Sequence, residues 1–174
     1  VTAEAATQEP VRTVAAIVVH EAAKGGFDQK LALTVKIRGE DRELYLSDYL
    51  CGVLMEEMPA SFPLEALKAQ AISARTYAAK HLGHHRAYGF DLCTGVDCQT
   101  YRGVNVNAPE CEAAVHETDG IYMTYEGEYA DTYYHSCDGG ATEASENVFY
   151  EAIPYLRGTI DPYEAHVETG YENW

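Results

Sequence analysis

A chain of 174 residues, 47% of them apolar, is long enough for one domain with a sizeable core and too apolar for a disordered segment. Its 12 Lys and Arg stand against 28 Asp and Glu, a formal charge of −16, which repels nucleic acid and anionic lipid and argues against both as partners. No run approaches the ~20 apolar residues of a membrane span, and no charged stretch leads into an apolar one as in a secretion leader.

The first ten residues, VTAEAATQEP, read as a polar, alanine-rich linker of the kind left once a leader or anchor is removed. Val14 to Val19 is a buried strand candidate, Lys24-Gly25-Gly26 a turn, and Leu31 to Arg38 a second strand. Gly39 to Arg42 turns the chain into an extended stretch that enters the first helix. We expect these strands to form a hairpin laid beside a helical core, with residues 1–40 as linker and hairpin and 41–174 as the main domain.

Ser47 is a good N-cap, with Asp48 in the first turn. Tyr49, Leu50, Val53 and Leu54 give a helical stripe, and Glu57, four residues after Val53, falls on it. Glu56 is rotated about 100° away. Pro59 ends the helix, because a residue before proline leaves the α region. Burial disfavours the charged form of a carboxyl, so an inward carboxyl at a helix end is suited to act as a general acid. A surface carboxylate at a frayed helix end is the plainer reading of the same residue.

Pro63 and Glu65 open a second helix, thin and alanine-rich, in which Gln70, Ala74 and Tyr77 share one side. Gln70, Arg75 and Tyr77 are polar groups on a helix central enough to be nearly buried, so each needs a partner in the fold or a ligand. Gly83 is the candidate C-cap.

The loop from Asp91 to Tyr101 carries Cys93 and Cys98, two of five cysteines, an odd number that excludes a complete set of internal disulfides. The pair could close a disulfide, remain as thiols, or supply half of a zinc site completed by His84, His85 or Asp97. Pro109 opens a third helix running to Thr118 and closed by Gly120. Ile121–Tyr125 and Tyr129–His135 form a hairpin that delivers His135 and Ser136 into a loop at Gly139-Gly140, where glycine lets backbone approach a bulky ligand. The remaining segments, 142–149 and 160–174, look irregular. Fourteen tyrosines against four phenylalanines offer flat apolar faces with polar edges, which suit sugars, although ordinary strand tyrosines explain most of them.

Three blocks carry a resemblance. EEMPASFPLEALKAQAISARTYA (residues 56–78) is the first; Tyr134-His135-Ser136 with Gly139-Gly140 and Thr142-Glu143 is the second. Pro154-Tyr155-Leu156-Arg157 followed by Asp161-Pro162-Tyr163 is the third. Together they resemble the sporulation stage II protein D family over about residues 42–165. That family comprises lytic transglycosylases of the bacterial cell wall and amidase-enhancer relatives.

The resemblance implies cleavage of peptidoglycan glycan strands, in the denuded, peptide-free form with which the family is associated, by an exported, cell-wall-facing protein. Glu57 would be the single acid and base, and a 1,6-anhydro-muramic acid end the product. Gln70, Arg75, Tyr77, Gln99, Tyr101, His135 and Ser136 become candidates to hold the sugar, with Gly139 and Gly140 lying close to it. No cofactor is needed for the chemistry, and a zinc at Cys93 and Cys98 would be structural. Family members carry similar cysteines with a histidine just before the second; Asp97 stands there in this chain, which weakens the zinc reading. A non-catalytic glycan-binding module that enhances a cell-wall amidase is the alternative. A hydrolase pairing Glu57 with Asp131 or Glu143 ranks below both. The expected fold is α+β: a hairpin-rich sheet on a central two-helix core with a third, short helix.

Overall fold

The structure, a computed structural model, describes residues 18–20, 26–103 and 108–163. They divide into two compact units, one from Ile17 to Tyr134 and a smaller one from His135 onward. The expected boundary at residue 40 falls inside a hairpin that belongs whole to the larger unit.

The larger unit is α+β, as expected. It contains β1 (Val18–His20), β2 (Ala32–Ile37), β3 (Glu40–Tyr45), α1 (Leu46–Glu57), α2 (Leu64–Lys80), β4 (Leu92–Cys93), α3 (Pro109–Glu117), β5 (Tyr122–Tyr125) and β6 (Glu128–Tyr129). Two three-stranded sheets flank the helices, ordered β1-β5-β6 and β3-β2-β4. The hairpin differs from the expected one: β2 pairs antiparallel with β3, from Ala32↔Tyr45 to Ile37↔Glu40, while β1 pairs with β5. The turn is only Arg38-Gly39, both left-handed (φ 50° and 87°), the geometry of the two-residue turns that match strand twist. The expected strand over residues 14–19 lies outside the described residues except for Val18 and Val19. At the other hairpin, β6 ends at Tyr129, so His135 is not at a strand end.

Helix α1 starts one residue before Ser47, which is buried and does not cap it. The cap is backbone: Leu46 N–H donates to the Leu31 carbonyl at 2.8 Å and Ser47 N–H to that of Asp28 at 3.3 Å. These bonds satisfy donors that every helix start leaves free. At the other end Met58 is extended (φ −143°, ψ 130°), as the following proline demands. Leu46, Tyr49, Leu50, Val53 and Leu54 of α1 meet Leu67, Ala71, Ala74 and Ala78 of α2 in one core with Cys111, Ala114 and Val115 of α3. The alanine face of α2 is what lets its neighbours approach closely.

Arg75 is fully buried and is not available to a sugar. Its Nε lies 3.0 and 2.8 Å from the two Asp28 carboxylate oxygens. Its other nitrogens donate to the Ile121 carbonyl at 3.2 Å, the Val115 carbonyl at 3.0 Å and the Thr118 hydroxyl at 3.2 Å. One guanidinium thus joins the segment before β2, α2, the end of α3 and the entry to β5. Burial pushes the Asp28 carboxyl above its ordinary range, against the pull of Arg75.

In the smaller unit a short helix, α4 (Ser145–Phe149), replaces the expected irregular segment. The Ser145 hydroxyl donates to the Glu151 carbonyl at 2.7 Å and accepts the Ile153 N–H at 2.8 Å. Arg157 forks onto the Glu146 carboxylate, and Ala141 bridges Ile160.

Arg75→Met should therefore destabilise the protein by about 3–5 kcal/mol, because it leaves the Asp28 charge buried without its partner. Urea denaturation measures this. An unchanged midpoint would contradict the structural role.

Candidate functional site

The break that Pro59 imposes brings Glu57 out on the last turn of α1. The carboxyl is half-buried, less enclosed than the stripe implies, because the helix is leaving the core at this point. Its Oε1 accepts the backbone N–H of Thr100 at 3.0 Å. Glu56, next in line, turns away to the Arg102 guanidinium at 3.3 Å.

Gln99, almost wholly buried, fixes the segment that carries that N–H. Its Oε1 accepts the Tyr49 hydroxyl at 3.4 Å. Its Nε2 donates to the Ala74 carbonyl of α2 at 3.4 Å and to the Tyr134 hydroxyl at 3.1 Å. Gln99 is a strut beneath the site, too enclosed to hold a sugar as expected. The half-buried Tyr134 ring brings its hydroxyl close enough to feel the Glu57 charge. Burial first, and then that charge, push this phenol up to about 12, so it keeps its proton at neutral pH.

Tyr101 is also buried, stacked on Tyr49 with ring centroids 5.5 Å apart. It fits against α1 only because residue 52 is glycine: a Cβ there would stand 2.2 Å from Tyr101 Cε2. It too is a support, not a sugar contact. Tyr77 and Gln70 lie on the same side of α2 as Ala74, so they face the 97–100 segment. The Tyr77 hydroxyl donates to the Asp97 carbonyl at 3.3 Å. The Nε2 of Gln70 is buried and has no partner among the described residues, a spare donor on this face.

The expected contributions of residues 135–140 belong to the smaller unit. His135 and Ser136 are exposed there. Gly139 and Gly140 are left-handed (φ 68° and 95°), and the Asp138 carboxylate accepts the Gly140 N–H at 2.7 Å. Of the second carboxylates a hydrolase would need, Asp131 is bound by Lys80 at 2.5 Å. Glu143 is exposed, and its Oε1 accepts the Asn147 side chain and the Ala144 N–H, each at 2.8 Å.

Behind the 97–100 segment, one ligand atom each from His85, Cys93 and Cys98 lies within 4.8 Å of the others. The Cys98 sulfur is 3.4 Å from His85 Nε2 and accepts the Cys93 N–H at 3.4 Å. All the cysteines are free thiols, so the disulfide alternative is not formed. Burial pushes the Cys98 thiol up to about 12, an unfavourable setting for a thiolate without a cation. Two sulfurs and an imidazole at this spacing suit zinc.

Tyr134 and Thr100 are the site members that sequence reasoning missed. Tyr134 heads the second motif block and could have been chosen from it. The Thr100 contribution is a backbone N–H, which no side-chain identity reports.

A half-buried carboxyl braced by a backbone amide, with a protonated phenol beside it and a glutamine strut beneath, defines a carboxyl-centred site on a helix end. The family model SpoIID, described as "Stage II sporulation protein", matches residues 39–125, which include the site from Glu57 to Tyr101. This chain belongs to that family. It is 42% identical over 117 residues to an uncharacterised protein of Brachyspira hyodysenteriae, covering 67% of this chain and 32% of that protein. It is 39% identical over 116 residues to the amidase enhancer of Bacillus subtilis (65% of this chain, 16% of the relative). With the stage II sporulation protein D of the same organism it shares 31% over 134 residues (68% and 39%). The chain thus spans between 16% and 39% of the length of these relatives.

Gly52→Ala should displace Tyr101 and the segment behind it, lowering stability by about 1–3 kcal/mol. Thermal denaturation tests this; a midpoint equal to that of the parent would show that Tyr101 is not held against α1.

Proposed function

We propose that this domain is a peptidoglycan lytic transglycosylase, acting at the bond between N-acetylmuramic acid and N-acetylglucosamine outside the cytoplasmic membrane. The observation that carries the reading is a half-buried carboxyl, Glu57, set on a backbone N–H, while Asp131, the second carboxylate of the same unit that a hydrolase would call on, is engaged by Lys80. In its acid form Glu57 gives its proton to the glycosidic oxygen as the bond to C1 breaks and an oxocarbenium-like centre develops. The resulting carboxylate takes the proton of the 6-hydroxyl of the same sugar, whose oxygen bonds to C1 and closes the 1,6-anhydro ring. Glu57 ends protonated, and no water is consumed.

The Thr100 N–H steadies the carboxylate between the two steps. Tyr134, still carrying its proton, is a hydrogen-bond donor to the charge that comes and goes there. Gln70 Nε2, without a partner among the described residues, would donate to a ligand oxygen that reaches it. The likeness to the amidase enhancer supports a second reading, a glycan-binding module that presents strands to an amidase.

A zinc ion held by His85, Cys93 and Cys98 fits the donors present. It would supply a cross-link that stiffens the 85–98 loop and so the Gln99–Thr100 segment. No step of the chemistry runs through it.

On peptide-free glycan strands Glu57→Gln should lower turnover by about 10²-fold or more with the fold intact. Asp131→Asn should stay within about twofold of the parent. Equal losses from both would favour the two-carboxylate hydrolase; no loss from Glu57→Gln would favour the binding module. For the metal, elemental analysis should find about one zinc per chain, lost in His85→Ala, and chelation should lower the thermal midpoint. Metal-free protein with an unchanged midpoint would show that His85, Cys93 and Cys98 hold no structural zinc.

A further inference from the structure

The β2–β3 hairpin and the residues just past Thr100 border an open cavity of about 470 Å³ whose lining includes Arg38, Arg42 and Arg102. In a chain of 12 Lys and Arg against 28 Asp and Glu, three cations at one cavity is a concentration that the overall composition opposes. Glu40 is the one carboxylate in the lining; it accepts from Arg42 at 2.9 Å at the open surface. Arg102 reaches the Glu56 carboxylate at 3.3 Å, outside the lining, and keeps three-quarters of its side chain exposed. Arg38 has no hydrogen-bond or ion-pair partner among the described residues. Tyr101, buried against Tyr49, gives the cavity an aromatic wall.

Arg38 sits at the tip of the hairpin that borders the cavity. It is the first residue of a two-residue hairpin turn with φ 50°, a place that turn chemistry gives to asparagine, aspartate or glycine. The same geometry recurs at Glu126 in the β5–β6 turn (φ 52°), so what sets Arg38 apart is that it lines the cavity. Guanidinium groups present paired donors that match the oxygens of carboxylates and phosphates. The cavity lies on the same 99–103 segment as the amide that braces Glu57, two residues further on.

We propose that this cavity is an oxyanion subsite for a carboxylate or phosphodiester carried by a wall polymer, bound alongside the Glu57 site. The link to Glu57 rests on the glycan reading; the anion chemistry of the cavity does not. Two sources share that chemistry: the lactyl carboxylates that muramic acid exposes once its peptides are gone, and the phosphodiesters of a polyol-phosphate polymer. A net charge of −16 repels polyanions in general, so any binding of one must be local and must depend on these arginines.

The experiment uses Glu57→Gln protein, so that strands are bound and not cut. Affinity is measured for peptide-free strands, for the same strands with their carboxyls methyl-esterified, and for poly(glycerol phosphate). Arg38→Asn, Arg42→Gln and Arg102→Gln are compared with Arg86→Gln, which removes the same charge outside the cavity. Arg38→Asn suits the left-handed turn, so its fold is kept and its thermal midpoint should not fall.

Each cavity variant should weaken binding of the anionic polymer about 3- to 10-fold at low salt, less as salt screens it, with Arg86→Gln unchanged. Loss confined to unesterified strands identifies the carboxylate as the ligand; loss confined to poly(glycerol phosphate) identifies the phosphodiester. Equal affinities in parent and cavity variants for both polymers, or an equal loss in Arg86→Gln, would overturn the subsite. Failure of the glycan reading shows separately, as wild-type protein that neither cuts nor binds strands, while the phosphate polymer still reports on the cavity.

Discussion

The Arg75–Asp28 pair is the contact on which the arrangement of the larger unit turns. A guanidinium with no access to water must place its donors within the protein, and it does so on three other pieces of chain. That requirement sets α2 against the end of α3 and the start of β5, and it draws the segment before β2 under α1. The carbonyl of Asp28 itself then accepts the Ser47 N–H that begins α1. The ion pair and the helix start are therefore one structure. Its worth is more in arrangement than in net stability, since burial raises the cost of the Asp28 charge.

From that frame the site follows by two further contacts. Helix α1, fixed at its start, ends where Pro59 stops it, and Glu57 is the residue at the stop. The 97–100 segment is brought to Glu57 by Gln99, whose amide spans Tyr49 of α1, Ala74 of α2 and Tyr134 after β6. On the proposed mechanism Glu57 both gives and takes a proton, and such a carboxyl works best when its oxygens stay in place between the two events. The Thr100 amide, itself held by Gln99, supplies that constancy. The His85, Cys93 and Cys98 donors lie on the same loop, so metal there would act on the site only through position.

Much of this was legible from the residues. The stripe through Val53 and Leu54, the proline stop and the alanine face of α2 are local signals, and each produced the expected element. Gln70 and Tyr77 were correctly placed on one side of α2. What sequence could not supply was partnership over distance. Arg75 suggests a ligand because a buried polar group needs a partner, and Gln99 does so through the family resemblance; Arg75 finds Asp28 47 residues away, and Gln99 finds Tyr49 and Ala74 50 and 25 residues away. Ser47 looked like a cap, but backbone from residues 28 and 31 does that work. The Glu40–Tyr45 strand was read as a turn and an approach to the helix because four of its six residues are charged. Pairing with β2 and not packing makes it a strand.

The proposed intramolecular ring closure by Glu57 alone is read most directly from the new chain ends. Wild-type protein is incubated with peptide-free glycan strands in oxygen-labelled water, and the products are examined by mass spectrometry. Anhydro-muramic acid ends with no label incorporated are expected. Reducing ends carrying one labelled oxygen would contradict it and show that water is the nucleophile.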